Sequence, residues 1–315
     1  MKTFDGFMKG VNLGGWLSQC DYSWERLNGF ITEKDIASIA SWGLDHVRLP
    51  IDYNVLEAEG GYSPEGFGHV QRAVDWCKRY GLNIVLDLHK TAGFSFHAGY
   101  AENGFFDSPA LQERFCALWE QIACMFGDDP EHIAFELLNE VTDKSYMPKW
   151  MEIAKAAFER IRAHAPETRI LLGGYWNNSV EAVKDLDAPW DENVVYNFHC
   201  YDPMLFTHQR ASWVRNTDVN RDVSYLESGA DEKYFEERFA SALDAAKSRG
   251  AALYCGEYGV IENATPEDTL KWYKAINAVL TRHNIARAAW SYKQMNFGLS
   301  DKRLDGVRKE LIKYL

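Results

Sequence analysis

A strand-then-helix alternation runs through the 315-residue chain and limits its fold more than any other feature. Short, nearly continuous apolar runs predict strands buried on both faces, and amphipathic stripes between them predict helices. The predicted strands are 7–13, 45–50, 83–89, 133–140, 169–174, 194–201, 252–259 and 286–293. Eight strands with helical crossovers favour an α/β fold, a closed (β/α)8 TIM barrel. Such a barrel takes about 250 residues, so we expect a single domain over residues 1–315.

Helix-start signals support the alternation. Thr32 precedes a helical stripe and has Asp35 three residues later, and both Ser108 and Thr265 are followed by proline. A small polar residue at the N-cap and a proline in the first turn are typical of helix starts. The segment 202–229 has no clear periodicity, and we interpret it as a long loop over the barrel mouth.

Composition excludes several classes of partner. Lys and Arg number 34 against 46 Asp and Glu, a formal net charge of −12. This charge argues against nucleic acid or an anionic membrane as a partner, because both require clustered positive charge. The beginning of the chain has no apolar leader-like core, which predicts a cytoplasmic location, whereas a leader removed beforehand would indicate secretion. We also expect a monomer. The cysteines have no C-x-x-C spacing, so we expect free thiols in a reducing compartment.

Polar or aromatic residues lie at or near the carboxyl ends of most predicted strands, where barrels of this kind carry their active sites. These residues are Arg48, His89, Asn139, Glu140, His199, Tyr201, Glu257 and Trp290. Each has a plain alternative: a buried ion pair for the arginine, satisfied core positions for the histidines, and packing for the aromatics. Two strands that each close on a glutamate suggest two-carboxylate chemistry, and convergence at one mouth favours a site.

This set of residues resembles the retaining β-glycosidases of glycoside hydrolase family 5, the cellulase family. The matching motifs are VRLP with Arg48, DLH with His89, ELLNE with Asn139-Glu140, FHCY with His199 and Tyr201, GEYG with Glu257, and AAWSYK with Trp290. The opening GVNLGGWL is similar to the first strand of β-glucanases in that family. The resemblance extends from about residue 7 to 293, nearly the whole chain.

The resemblance implies a role for each glutamate. Glu140 would be the acid/base, and Glu257 would be the nucleophile that forms a glycosyl-enzyme intermediate. Retention of configuration requires carboxyl groups about 5–5.5 Å apart. Supporting roles are also implied: Arg48 and Tyr201 bonded to Glu257, His199 orienting Glu140, Asn139 and His89 binding sugar hydroxyls, and Trp290 stacking on the sugar.

Other residues are weaker candidates. We interpret Glu136 and Asp87 as structural charges inside the barrel, because charged groups are rarely buried without partners. Four further aromatics could pave a cleft: Trp16, Trp176, Phe206 and Trp213. The chain has no H-E-x-x-H motif and no Asp-rich calcium loop, so we expect neither a metal nor a cofactor.

The resemblance implies an endo-β-1,4-glucanase that acts on a β-glucan polysaccharide or oligosaccharide, including mixed-linkage β-glucan. A β-1,3-glucanase or a mannanase could use the same core. A carbohydrate-binding barrel without activity is a more distant alternative, and the presence of both glutamates argues against it.

Overall fold

The computed structural model describes residues 1–96, 102–214 and 218–315. Within these ranges eight parallel strands close into a barrel in the order β1-β8-β7-β6-β5-β4-β3-β2. The strands are β1 Lys9–Asn12, β2 His46–Asp52, β3 Asn83–Lys90, β4 Ile133–Glu136, β5 Arg169–Leu172, β6 Val194–Cys200, β7 Ala252–Tyr258 and β8 Ala286–Ala289. The (β/α)8 prediction is therefore confirmed, because each strand pairs with its neighbours in parallel.

Six long helices cover the outside of the barrel. They are α1 Glu33–Ser41, α2 Pro64–Arg79, α3 Pro109–Phe126, α4 Met147–His164, α5 Glu232–Arg249 and α6 Pro266–Arg282. The predicted N-caps are present: Thr32 and Asp35 form a capping box, and Ser108 and Thr265 each accept a backbone N–H. None of the described helices has the length and apolar character needed to cross a membrane.

Shorter segments fill the connections. Short α-helical segments lie at Trp24–Gly29, Tyr53–Leu56, Tyr175–Asn178, Met204–Thr207, Tyr225–Ser228 and Arg308–Leu311. Turns of 3-10 helix lie at Lys144–Tyr146, Val180–Asp185, Lys302–Leu304 and Ile312–Tyr314. A small hairpin pairs Glu57–Ala58 with Gly61–Tyr62. Two of the short α-helical segments lie within the segment 202–229, so the described part of this long connection is not wholly irregular. The six cysteines are free thiols, as the sequence predicts.

The two ends of the barrel differ in polarity. At the amino-terminal end, Phe4 and Phe7 stack on each other with centroids 4.4 Å apart, and Phe4 contacts Tyr254 edge-on. These rings are almost fully buried with small strand residues and close that end. Toward the other end the interior becomes polar, with Arg48, Asp87 and others fully buried. We therefore expect the chemistry at the carboxyl ends of the strands.

The observed strand bounds differ from the predicted ones, and three of the differences affect the placement of candidate site residues. β4 ends at Glu136, so Glu140 lies in the connection that follows rather than at the strand end, and its φ of 49° turns the chain. β2 continues to Asp52, which places Arg48 inside the strand and deep in the barrel. β8 ends at Ala289, one residue before Trp290. For β4 and β8 the apolar run overestimates the length of the strand, because the buried connection that follows has the same composition.

Candidate active site

A buried arginine connects three strands below the barrel mouth. Arg48 on β2 donates through Nε and Nη2 to both oxygens of Glu136 on β4, at 2.7 and 2.8 Å. Its Nη1 donates to Oε1 of Glu257 on β7 at 2.8 Å, and its Nη2 lies 2.9 Å from Oδ2 of Asp87 on β3. A planar fork with five N–H donors suits such a crowded acidic site. Arg48 thus takes the buried ion-pair role and also contacts Glu257.

Charge in this cluster is only partly balanced. Burial acts to lower the pKa of Arg48, but the carboxylates of Asp87 and Glu136 raise it well above its usual value. Burial raises the pKa of Asp87 to about 7 against the opposing effect of Arg48, and it also raises the pKa of Glu136. Asn197 adds a hydrogen bond to Glu136 at 2.8 Å. Glu136 and Asp87 are thus buried carboxyl groups inside the barrel that contact Arg48, in agreement with the structural role predicted from the sequence.

Both oxygens of Glu257 are held by donors. Oε1 accepts from Arg48, and Oε2 accepts from the hydroxyl of Tyr201 at 2.7 Å. Burial and the negative charge of Glu257 raise the pKa of Tyr201 well above its usual value, so the phenol keeps its proton. These two bonds fix a mostly buried carboxylate, an arrangement suited to a nucleophile.

Glu140 is held by two different partners. Its Oε1 lies 2.8 Å from Nδ1 of His199 on β6, and its Oε2 accepts from Nδ2 of Asn177 at 2.9 Å. Burial lowers the pKa of His199 to about 4, so the imidazole is neutral near pH 7. The sequence predicted the contact with His199. It missed Asn177, which follows β5 in the run YWNN and belongs to no motif with a recognised chemistry.

The two glutamates approach each other closely across the mouth. A carboxylate oxygen of Glu140, one of Glu257 and a ring nitrogen of His199 all lie within 4.8 Å of one another. Nδ1 of His199 is 3.7 Å from Oε2 of Glu257. This gap is close to the spacing at which a carboxylate rather than water attacks the sugar. The three groups could also surround a cation, but all of them already bond to protein groups, and the absence of a metal stays a prediction.

Two buried side chains beside the glutamates have unused polar atoms. His89 on β3 bonds through Nδ1 to Asp87 at 2.6 Å, while its Nε2 has no hydrogen-bond partner among the described residues. Asn139 accepts from Arg48 through Oδ1 at 2.9 Å, and its buried Nδ2 is likewise without a partner there. Buried polar atoms are normally satisfied, so these two are suited to hydroxyls of a bound molecule.

A family profile described as Cellulase (glycosyl hydrolase family 5) matches residues 5–296. The chain belongs to this family. Cellodextrinase A from Ruminococcus flavefaciens is 52% identical over 283 residues, which are 90% of this chain and 84% of that protein. Endoglucanase C from Acetivibrio thermocellus is 35% identical over 337 residues, covering 98% of each chain.

Solved structures agree with this assignment. A structure of Thermotoga maritima Cel5A in complex with mannotriose has a TM-score of 0.82 and 26% identity, and the match covers 98% of this chain and 97% of that one. The fold of that structure therefore extends over nearly all of this chain.

Trp290 is less open than the sequence suggests for a stacking platform. Its exposed fraction is 5%, and its ring stacks on His89 with a 4° angle and centroids 5.8 Å apart. Phe297 packs in the same small cluster. A β-carbon on Gly14 would lie 2.8 Å from the indole ring, so glycine at this position leaves room for it. The indole ring of Trp290 is thus packed by His89, Phe297 and the backbone at Gly14.

The four additional aromatics divide into two pairs. Trp16 and Phe206 are 0% exposed, and the indole of Trp16 donates to the carbonyl of Leu27. The prediction that these two pave a cleft is wrong, because both rings are used in the core. Trp176 and Trp213 are 54% and 59% exposed and remain available to a substrate. Trp176 directly precedes Asn177, whose side-chain amide bonds to Glu140.

Proposed function

We propose that this chain is an endo-β-1,4-glucanase that hydrolyses β-glucosidic bonds with retention of configuration. The observation that carries the proposal is the close approach of Glu140 and Glu257, with atoms within 4.8 Å. That spacing suits a double displacement better than direct attack by water. The names of the relatives, a cellodextrinase and an endoglucanase, support β-1,4-linked glucose as the substrate class.

The reaction proceeds in two steps. Glu140 gives its proton to the glycosidic oxygen while Glu257 attacks the anomeric carbon, so the bond to the leaving group breaks as the ester bond to Glu257 forms. Glu140, now a carboxylate, takes a proton from water, and the water oxygen displaces Glu257 from the same carbon. Two inversions return the β configuration. Donation from Arg48 and Tyr201 stabilises Glu257 when it leaves as a carboxylate.

Supporting roles follow from the unused atoms of the site. Asn139 Nδ2 bonds the 2-hydroxyl of the sugar that Glu257 attacks, a bond that strengthens in the transition state. His89 Nε2 takes another hydroxyl, and the edge and remaining face of Trp290 contact the same sugar. Trp176, exposed next to the acid side of the site, provides a stacking surface for the departing sugar, and Trp213 is a further candidate surface.

One domain carries this activity. The amino-terminal residues Phe4 and Phe7 close the barrel, and the carbonyl of Leu315 accepts a hydrogen bond from Arg287 on β8. Residues near both ends of the given sequence therefore pack on the same barrel, which supports a single (β/α)8 catalytic domain over residues 1–315. The buried free thiols are compatible with a reducing compartment.

Linkage and mode of cleavage are tested together by product analysis. Carboxymethylcellulose, barley β-glucan, laminarin and mannan are the four substrates, with cello-oligosaccharides as short-chain controls. We expect the first two and the oligosaccharides to be cleaved. Because the related Cel5A was solved with mannotriose, mannan cleavage is the second outcome to examine. Proton NMR in the first minutes should show a β-anomer, and an initial α-anomer would overturn the double displacement.

A further inference from the structure

The turn after β5, which contacts Glu140, has an unusual backbone conformation. Trp176, Asn177 and Asn178 have φ values of 50°, 58° and 54°, three consecutive residues in the left-handed region. Residues other than glycine rarely adopt this conformation, although asparagine tolerates it best. A run of three persists only when the surrounding structure holds it, and such strain is concentrated at functional sites.

The surroundings of this turn tie it to Glu140. The backbone N–H of Asn177 donates to the carbonyl of Val141, the residue directly after Glu140, at 3.0 Å. Asn178 is buried against Gly173, where a β-carbon would lie 2.3 Å from the asparagine Oδ1. The turn is therefore bonded to the segment that carries Glu140, and the amide nitrogen of Asn177 lies 2.9 Å from Glu140 Oε2.

We propose that Asn177 is a positioning residue that holds Glu140 and favours its ionised form in the second half of the reaction. This inference rests on the acid/base role of Glu140 proposed above. An N–H donated to a carboxylate stabilises the charged form. In the deglycosylation step that form breaks an O–H bond of water and keeps the proton, while the water oxygen bonds to the anomeric carbon and the bond to Glu257 breaks.

The two carboxylate oxygens of Glu140 thus have different hydrogen-bond partners. His199 holds Oε1 as a neutral imidazole that can donate or accept, whereas Asn177 holds Oε2 from the exposed side of the mouth. The titratable groups whose charges act on this carboxyl come from several elements: Asp87 and His89 on β3, His199 on β6, Tyr201 after β6 and Glu257 on β7. A substitution at Asn177 removes none of these groups, so a change in the pH profile reports the lost amide.

The test uses two substitutions that keep the left-handed backbone. N177G removes the amide at a position where glycine has no steric cost, and N177D keeps the shape but adds a negative charge beside Glu140. N284G is the matched control, because Asn284 is exposed, also has a positive φ of 52°, and lies two residues before β8 at the amino-terminal end of the barrel.

With a dinitrophenyl β-cellobioside, hydrolysis of the intermediate limits turnover. N177G should then lower kcat by roughly threefold to tenfold, the effect of losing one hydrogen bond of ordinary strength that holds Glu140 in position for the attacking water, and KM should fall with it. On a cello-oligosaccharide the alkaline limb of kcat/KM should move up by about 0.5–1 pH unit in N177G and further in N177D. N284G should change neither.

Several results would overturn the inference. An unchanged alkaline limb in both Asn177 variants, or an equal loss of kcat/KM on every substrate with constant KM, would mean that Asn177 only supports the fold. The role of Glu140 itself is checked separately by azide rescue of E140A. If that rescue fails, the proposed function is wrong; if it succeeds while N177G behaves like N284G, only the inference on Asn177 is wrong.

Discussion

Arg48 is the position where a conservative change should cost most. The side chain is fully buried and makes five hydrogen bonds, to Glu136 twice and to the three acceptors Asn12, Glu257 and Asn139. A lysine in R48K keeps the charge but has three donors on a single nitrogen, so at least two bonds are lost. At about 1.5–3 kcal/mol for each bond to a charged group, we expect a loss of roughly 3–6 kcal/mol in the free energy of unfolding.

Equilibrium unfolding in urea, followed by tryptophan fluorescence, measures this loss. R282K is the matched control, because Arg282 makes two carboxylate contacts on the surface, and such pairs contribute about 0–1 kcal/mol. R48K should also lower kcat/KM under conditions where it is fully folded, because Glu257 loses a fixed donor. An R48K protein within about 1 kcal/mol of the parent would refute the reasoning, since a lysine would then satisfy the cluster equally well.

Four further changes test separate parts of the site. E140A should depress hydrolysis of polymer more than that of an activated aryl glycoside, and azide should restore the latter as a β-glycosyl azide; equal losses without rescue would contradict the acid/base role. Y201F should move the acidic limb of kcat/KM to higher pH, because the ionised nucleophile loses a donor, and an unmoved limb would argue against that contact. G14A should displace the ring of Trp290, since the added β-carbon would lie 2.8 Å from it, and lower kcat/KM while the melt stays cooperative; normal kinetics would show that the ring position is unimportant. Burial raises the pKa of Asp87 from 3.8 to about 7, so between these values the folded state binds a proton that the unfolded state releases. The free energy of unfolding should therefore fall as pH rises through this window, and D87N should flatten the slope by up to about 1.4 kcal/mol per pH unit; identical slopes would refute it.

The hydrophobic periodicity and composition of the sequence predict the barrel well, because buried parallel strands are apolar and the helices that connect them are amphipathic. The boundaries are less accurate: nothing in IAFELLNE indicates that hydrogen-bonded pairing stops at Glu136 and that Glu140 turns in the left-handed region. Burial of single aromatics is also hidden, as Trp16 and Trp176 have similar local patterns but opposite exposure. Asn177 could not be found from sequence, because its contact with Glu140 depends on the geometry of a turn rather than on a motif.

In the polar interior, too, the sequence pattern predicts which residues lie near one another but not how they are bonded. The sequence predicts that Arg48 and Tyr201 lie near Glu257, because all three lie near the carboxyl ends of strands. It does not predict that one guanidinium serves three carboxylates at once. That arrangement arises because β2, β3 and β4 are neighbours in the closed barrel and β7 lies across the interior from them, and distances across the interior cannot be read from a linear pattern.

The two glutamates are mounted differently. Glu257 lies within β7 and is tied to Arg48, which is itself anchored to Glu136, so the atom that forms the covalent bond has a rigid base. Glu140 lies in a connection whose neighbour is the turn 175–178. We therefore expect that changes in that turn at positions other than Asn177 can alter the preferred leaving group without disturbing the contacts that hold Glu257. A directed library limited to this turn should yield altered aglycone selectivity on an unchanged nucleophile.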